Sequence, residues 1–144
     1  MLVNEMLKAK RADVITVKPH ETLNTLVHRL AMENIGAVVV SNDGESVDGI
    51  ISERDVVRGL TRHGPHLLQM TVSEIMTEHV LTCNPDDNIK EIMRLMTQRR
   101  IRHLPVVKNG GLIGLISIGD VVKDRLELMQ LEANVLRDQL VAHN

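Results

Sequence analysis

The 144-residue sequence has no phenylalanine, tyrosine or tryptophan. Its interior must be built from Leu, Ile, Val, Ala and eight Met, of which methionine packs most adaptably. The same lack argues against binding single-stranded nucleic acid, because bases stack on aromatic rings. Cys83 is the single cysteine, which excludes an internal disulfide and suits a reducing compartment. It reads as a packed core thiol rather than a nucleophile. Seventeen basic and 19 acidic residues give a net charge of −2, so no general attraction to polyanions is expected. No apolar run reaches membrane-spanning length, and Met1 to Val17 mixes charges without the apolar stretch of a signal peptide. A soluble, cytoplasmic protein with no membrane contact is expected.

What the chain does have is a phrase used twice. Gly49-Ile50-Ile51-Ser52-Glu53-Arg54-Asp55 returns as Gly114-Leu115-Ile116-Ser117-Ile118-Gly119-Asp120, each followed by two valines. Each copy reads as a buried strand running into a helix start, with Ser as N-cap and Asp at N3. Such a start gathers unpaired N–H groups and a positive dipole end, where an anion can sit. Ser-x-x-Asp is also close to a capping box, which alone would explain either copy.

The repeat extends beyond the phrase. Val14 to Pro19 lies over Val80 to Pro85, and the helical spacing of Leu26, Val27 and Leu30 over Ile92, Met93 and Met96. Ala37 to Val40 lies over His103 to Val106, and the lead-in Val3 to Leu7 resembles Val72 to Met76. A period of about 66 residues is longer than usual solenoid repeats and reads as two small tandem domains. Each is marginal in size alone, so a shared core is expected.

Taken in order, the pattern predicts strands at 13–17, 37–40, 47–51, 80–83, 103–107 and 112–116, with helices near 22–34 and 87–99 and from Ser52 to about Gly59–Gly64. Lys8 to Arg11 is a basic run, read as a solvated connector with a phosphate-facing role as the lesser alternative. Thr61 to His66 reads as the linker. Asn109-Gly110 signals a type I′ hairpin. The last helix, 118–141, carries Val122, Leu126, Met129, Ala133, Leu136 and Leu140 in a 4-3-4-3-4 seam that calls for a partner, and a homodimer is expected. The domains are then 1–66, 67–128 and a helical extension, 129–144.

Enzyme chemistry finds little support. The seven histidines are scattered, His63 and His66 lack a second pair to complete a zinc site, and Gly110-Gly111-x-x-Gly114 precedes a strand instead of opening a helix. No P-loop is present, and no catalytic or metal site is proposed from the sequence.

The repeated order of strand, Pro turn, helix, two strands, Gly-h-h-Ser-x-x-Asp and helix resembles the cystathionine-β-synthase (CBS) domain, and two in tandem resemble a Bateman module. Ile101 to Val107 is a typical stretch. The likeness covers roughly Val3 to Leu128 and implies an α+β fold of two β-α-β-β-α repeats about a pseudo-twofold axis. It further implies a non-catalytic sensor that binds an adenosine-containing ligand (AMP, ADP, ATP, NAD(H) or S-adenosylmethionine) between the repeats and signals to an unidentified partner. The alternative is a constitutive dimeric scaffold with empty clefts.

By the same likeness Asp55 and Asp120 take the ribose hydroxyls, with Ser52 and Ser117 facing ribose or phosphate. Adenine would lie on Val80-Leu81 in the Asp55 site and on Val14-Ile15 in the Asp120 site. Glu53, Arg54, Arg102, His103, Leu104 and Pro105 would complete the first site. Gly36, Ala37, Val38, Ile118 and Gly119 would complete the second. Arg102-His103 stands where the first repeat has Gly36-Ala37. A planar Arg fork, with His103 adding charge below its pKa, would favour phosphate-rich ligands at Asp55. The Asp120 site would take a less anionic ligand or stay empty.

Overall fold

The computed structural model describes residues 1–11 and 13–143. Its elements follow in the order α1 (Val3–Lys10), β1 (Thr16–Val17), α2 (Leu23–Glu33), β2 (Ala37–Val40), β3 (Gly49–Ser52) and α3 (Glu53–His63). A 3-10 turn, Gly64–Gln69, leads to α4 (Val72–Ile75), α5 (Ile89–Arg99), β4 (His103–Lys108), β5 (Gly111–Ser117) and α6 (Ile118–His143). The architecture is α+β. In the first repeat β1 pairs parallel with β2, and β2 antiparallel with β3. In the second, β4 and β5 form an antiparallel hairpin through Asn109 and Gly110, both at positive φ as a type I′ turn requires.

The expected strand at 80–83 is reduced to one parallel bridge, Cys83 to Val106. Cys83 N–H donates to the Pro105 carbonyl at 3.0 Å, and Val107 N–H donates to the Cys83 carbonyl at 2.9 Å. The next rung upstream would need an N–H from Pro105, which proline lacks. Leu81 is left 43% exposed. The predicted strand at 13–17 is likewise short, paired only at Thr16 and Val17.

Matching caps stop the two middle helices. Thr22 opens α2 and Asn88 opens α5 by accepting a backbone N–H. Asn34 and Arg100, 66 residues apart, end them in the left-handed conformation at φ 53° and 54°. The linker is not a free loop: its turn buries Leu67 completely in the first core.

A single shared core is not what forms. One cluster gathers Val17, Leu23, Leu26, Val38, Val40, Ile51 and Leu67, and the other Ile89, Ile92, Met96, Leu104, Val106, Ile116 and Val121. The repeats are joined by exchange of their lead-ins. Val3 and Met6 of α1 are buried in the second cluster, and Val72 of α4 in the first. Backbone bonds fix the exchange: Val3 N–H donates to Asp87 O and Ile89 N–H to Met1 O, while Val72 N–H donates to Glu21 O and Leu23 N–H to Met70 O. Cys83 is buried, and its surroundings, with Asp87 nearby, push the thiol up to about 12.

Among the described residues no helix is long and apolar enough to cross a membrane. The 26 residues of α6 make a helix about 39 Å long at 1.5 Å per residue. Beyond the second repeat its seam lies open, with Leu136 61% and Leu140 69% exposed.

Candidate functional site

The two copies of the phrase fold alike. Ser52 caps α3, its hydroxyl accepting from Asp55 N–H at 3.4 Å, while Asp55 Oδ2 accepts from Ser52 N–H at 2.9 Å. Ser117 and Asp120 repeat this at 3.1 and 2.9 Å. The capping box is therefore real in both repeats, and it uses one carboxylate oxygen, Oδ2, of each aspartate. The amide after each serine is also taken: Glu53 N–H donates to Gly36 O at 2.9 Å and Ile118 N–H to Arg102 O at 2.7 Å. These bonds tie each helix start to the entrance of its repeat's middle strand.

A cleft of about 290 Å³ opens where the first helix start faces the second repeat. It brings together Ser52, Glu53, Arg54 and Asp55 with Arg102 and His103, as the sequence suggested. Arg58, Thr77, Arg100, Ile50 and Ile101 also line it and were not foreseen. Arg58 follows Arg54 by one helical turn, a spacing that places both on one face of α3. Four arginines thus line one concavity, together with the acidic residues Glu53 and Asp55. Asp55 Oδ1, the oxygen left over from the cap, accepts only a long 3.4 Å bond from the Thr77 hydroxyl. Arg100 reaches the cleft from a left-handed position that a non-glycine residue adopts at a cost, a pattern associated with functional sites.

Other expected residues fall elsewhere. Val80 and Leu81 do not line the cleft; Thr77, bridged to Ile50 on β3, stands at its wall instead. Leu104 and Pro105 face inward, Leu104 within the second core. Gly36, expected beside Asp120, lies in the Asp55 cleft, where a Cβ on it would stand 3.6 Å from His103 Nε2 and 3.7 Å from Glu53 Oε1.

The second cleft, of about 510 Å³, is lined by Val14, Ile15 and Ala37 with Leu7, Lys10, Asp13, Glu33, Ile35, Gly114 and Leu115. Val38 is buried in the first core. Ser117, Ile118, Gly119 and Asp120 do not line this cleft; Asp120 lines an adjoining depression together with Lys10. The Lys10 ammonium donates to Asp120 Oδ2 at 2.9 Å, an ion pair within the part-exposed surface. Burial of Asp120 works to raise its pKa. The bond from the Ser117 amide and the adjacent ammonium outweigh that and hold it below the ordinary carboxylate value. Lys10, read from the sequence as part of a solvated connector, thus sets a fixed positive charge directly beside Asp120.

His103 stands between the two helix starts. Burial lowers its pKa first, and Lys10 and Arg102 lower it further against the pull of Asp120 and Glu53. Its pKa therefore lies below the ordinary histidine value, and the charge expected of it below its pKa comes only at lower pH.

The CBS domain family profile matches residues 5–62 and 72–127. A curated relative, the mitochondrial CBS domain-containing protein CBSX3 of Arabidopsis thaliana, is 40% identical over 124 residues, covering 80% of this chain and 60% of the relative. The solved CBS-domain containing protein ATU1752 of Agrobacterium tumefaciens is 43% identical with a TM-score of 0.83, covering 87% of this chain and 99% of the other. Two more distant solved structures share the fold and carry ligands. The CBS domain pair of MJ0100 (22% identical, TM-score 0.75, 85% of this chain and 98% of the other) is in complex with 5-methylthioadenosine and S-adenosyl-L-methionine. CBSX2 (24% identical, TM-score 0.71, 83% of this chain and 92% of the other) is in complex with AMP. With both family matches falling on the two bodies that exchange their lead-ins, this chain belongs to the CBS domain family as a tandem pair.

Proposed function

We propose that the protein is a non-catalytic regulatory module that binds an adenine nucleotide in the Asp55 cleft and reports its occupancy to a protein partner. One observation carries this reading: a carboxylate whose Oδ1 takes no part in the helix cap lines a cleft with four arginines at the junction of the two repeats. Asp55 Oδ1 is available to ribose hydroxyls, and Arg54, Arg58, Arg100 and Arg102 supply planar donors for phosphate oxygens. That charge favours a nucleotide with several phosphates over AMP, and over the cationic S-adenosylmethionine. The adenosine ligands of the two distant fold neighbours support the class. A ligand touching both repeats shifts their relative arrangement only through unequal affinity for the two arrangements. The setting we propose is cytoplasmic.

The test is a thermal-shift panel of AMP, ADP, ATP, NAD(H) and S-adenosylmethionine, followed by calorimetry on wild type and Arg102→Ala. A nucleotide at 100-fold over its Kd adds about 2.7 kcal/mol of stability. ATP is expected to shift most, and Arg102→Ala to weaken it more than AMP. No shift with any ligand would leave the dimeric scaffold reading, which the open seam of α6 favours. In either reading we propose a homodimer that covers Leu136 and Leu140. A chain ending at Leu128 is expected to lose or weaken dimerisation by light scattering at micromolar concentration.

A further inference from the structure

The repeats differ sharply at one point that the repeated phrase does not include. In the first, Thr77 serves two acceptors: its N–H donates to the Ile50 carbonyl at 2.9 Å and its hydroxyl to Asp55 Oδ1 at 3.4 Å. In the second, Leu115 and Asp120 occupy the matching places. One group serves both, the Lys10 ammonium, 2.8 Å from Leu115 O and 2.9 Å from Asp120 Oδ2. Both lead-ins thus deliver a donor to the motif aspartate of the repeat they pack on, one neutral and one charged.

The consequence is electrostatic and steric. Asp55 meets the cleft with its charge uncompensated by the hydroxyl beside it. Asp120 is paired, and its Oδ2 already takes the Ser117 amide and the ammonium. Lys10 lines the second cleft and Asp120 does not, so the lysine forms the wall between that cleft and its aspartate. A ligand hydroxyl approaching Asp120 from that cleft meets the ammonium first, and taking Oδ2 exchanges an ion pair and the Leu115 bond for one hydrogen bond.

We propose that Lys10 is a built-in occupant of the second motif aspartate, so that the chain binds one nucleotide, at Asp55, and the second cleft accepts one only when Lys10 is removed or withdrawn. This rests on the nucleotide reading of the Asp55 cleft and deepens it into a rule of stoichiometry and selectivity. It also makes α1, the carrier of Lys10, the element through which the second cleft is controlled.

Isothermal calorimetry with ATP and with AMP tests this on wild type, Lys10→Thr, Lys10→Ala and Asp55→Ala, with circular dichroism checking that each is folded. Lys10→Thr copies the group that faces Asp55. Wild type is expected to bind one nucleotide per chain, weakened by at least about tenfold in Asp55→Ala. Lys10→Thr is expected to bind two, the second persisting when combined with Asp55→Ala and gaining at least about tenfold in affinity over wild type. Two sites of similar affinity in wild type, or one site in both folded Lys10 variants, would overturn the proposal. So would weaker binding on losing Lys10, which would make it a phosphate ligand. Absence of binding in every protein would overturn the nucleotide reading itself, and this inference with it.

Discussion

At one junction between the repeats a carboxylate faces a threonine hydroxyl among four arginines; at the other it is held by a lysine from the opposite end of the chain. The frames share their key fixings: the same capping box, the same bond from the first helical amide to the strand entrance, the same left-handed helix stop. Part of what separates the clefts lies inside the phrase, where Glu53 and Arg54 stand against Ile118 and Gly119, and the rest lies in α3, in the lead-ins and in the residues before each middle strand. A duplicated scaffold thus fixes where an aspartate stands, and a few residues from its neighbour fix whether a neutral hydroxyl or an ammonium meets it.

The largest expected effect sets the two aspartates against each other. As cap residues alone, Asp55→Ala and Asp120→Ala would each cost about 0.5–2 kcal/mol of stability. Asp55→Ala is expected in addition to lose on the order of 1.5–3 kcal/mol of ATP affinity, and Asp120→Ala to lose none. Calorimetry on both folded variants reads this, and equal losses would erase the distinction between the clefts.

A second comparison uses the glycines that open each phrase. A Cβ on Gly49 would stand 2.6 Å from Met76 Sδ and 2.9 Å from the Thr77 backbone carbonyl, whereas on Gly114 it would stand 2.5 Å from Leu7 Cδ2. A leucine tip can rotate away, but the Ile50–Thr77 bridge cannot. Gly49→Ala is therefore expected to cost about 1–3 kcal/mol in urea unfolding, and Gly114→Ala less. Equal costs would mean that α1 is held as rigidly as the backbone at Thr77.

The smallest effect concerns His103, which feels both sites. Its folded pKa lies below its ordinary value of 6.5. The unfolded chain therefore takes up the proton first as pH falls, so the His103 contribution is complete above pH 6.5 and is lost as pH drops through the folded value. The stability advantage of wild type over His103→Gln is expected to shrink on acidification in that direction. An NMR midpoint at or above 6.5 would contradict the burial of the ring between Lys10 and Arg102.

Much of this was legible in the sequence. The two phrases, the apolar runs of β2 and β3, the Asn109-Gly110 turn and the long last helix follow from local pattern and period. The gathering of Ser52 to Asp55 with Arg102 and His103 came from the resemblance, and Arg58 was readable from its one-turn spacing after Arg54. Thr77, Arg100 and Lys10 were not, because each reaches its site through tertiary packing that no spacing encodes. The strand at 80–83 was overread for a chemical reason: Pro105 looks apolar in the pattern, but it has no N–H to offer the next rung. Two cores were read as one because repeat alignment shows that lead-ins match without showing which body they pack on.

That reciprocal packing of α1 and α4 makes the protein a clasp. A half-chain of either repeat with its own lead-in would carry a helix that fits the other body and leave its own core short of apolar cover. Two such halves satisfy each other by trading helices, which is domain swapping, and the tandem chain is that swapped pair joined covalently. Pulling on the first ten residues therefore strains the far repeat before the near one, and the amino terminus becomes a handle on the second body.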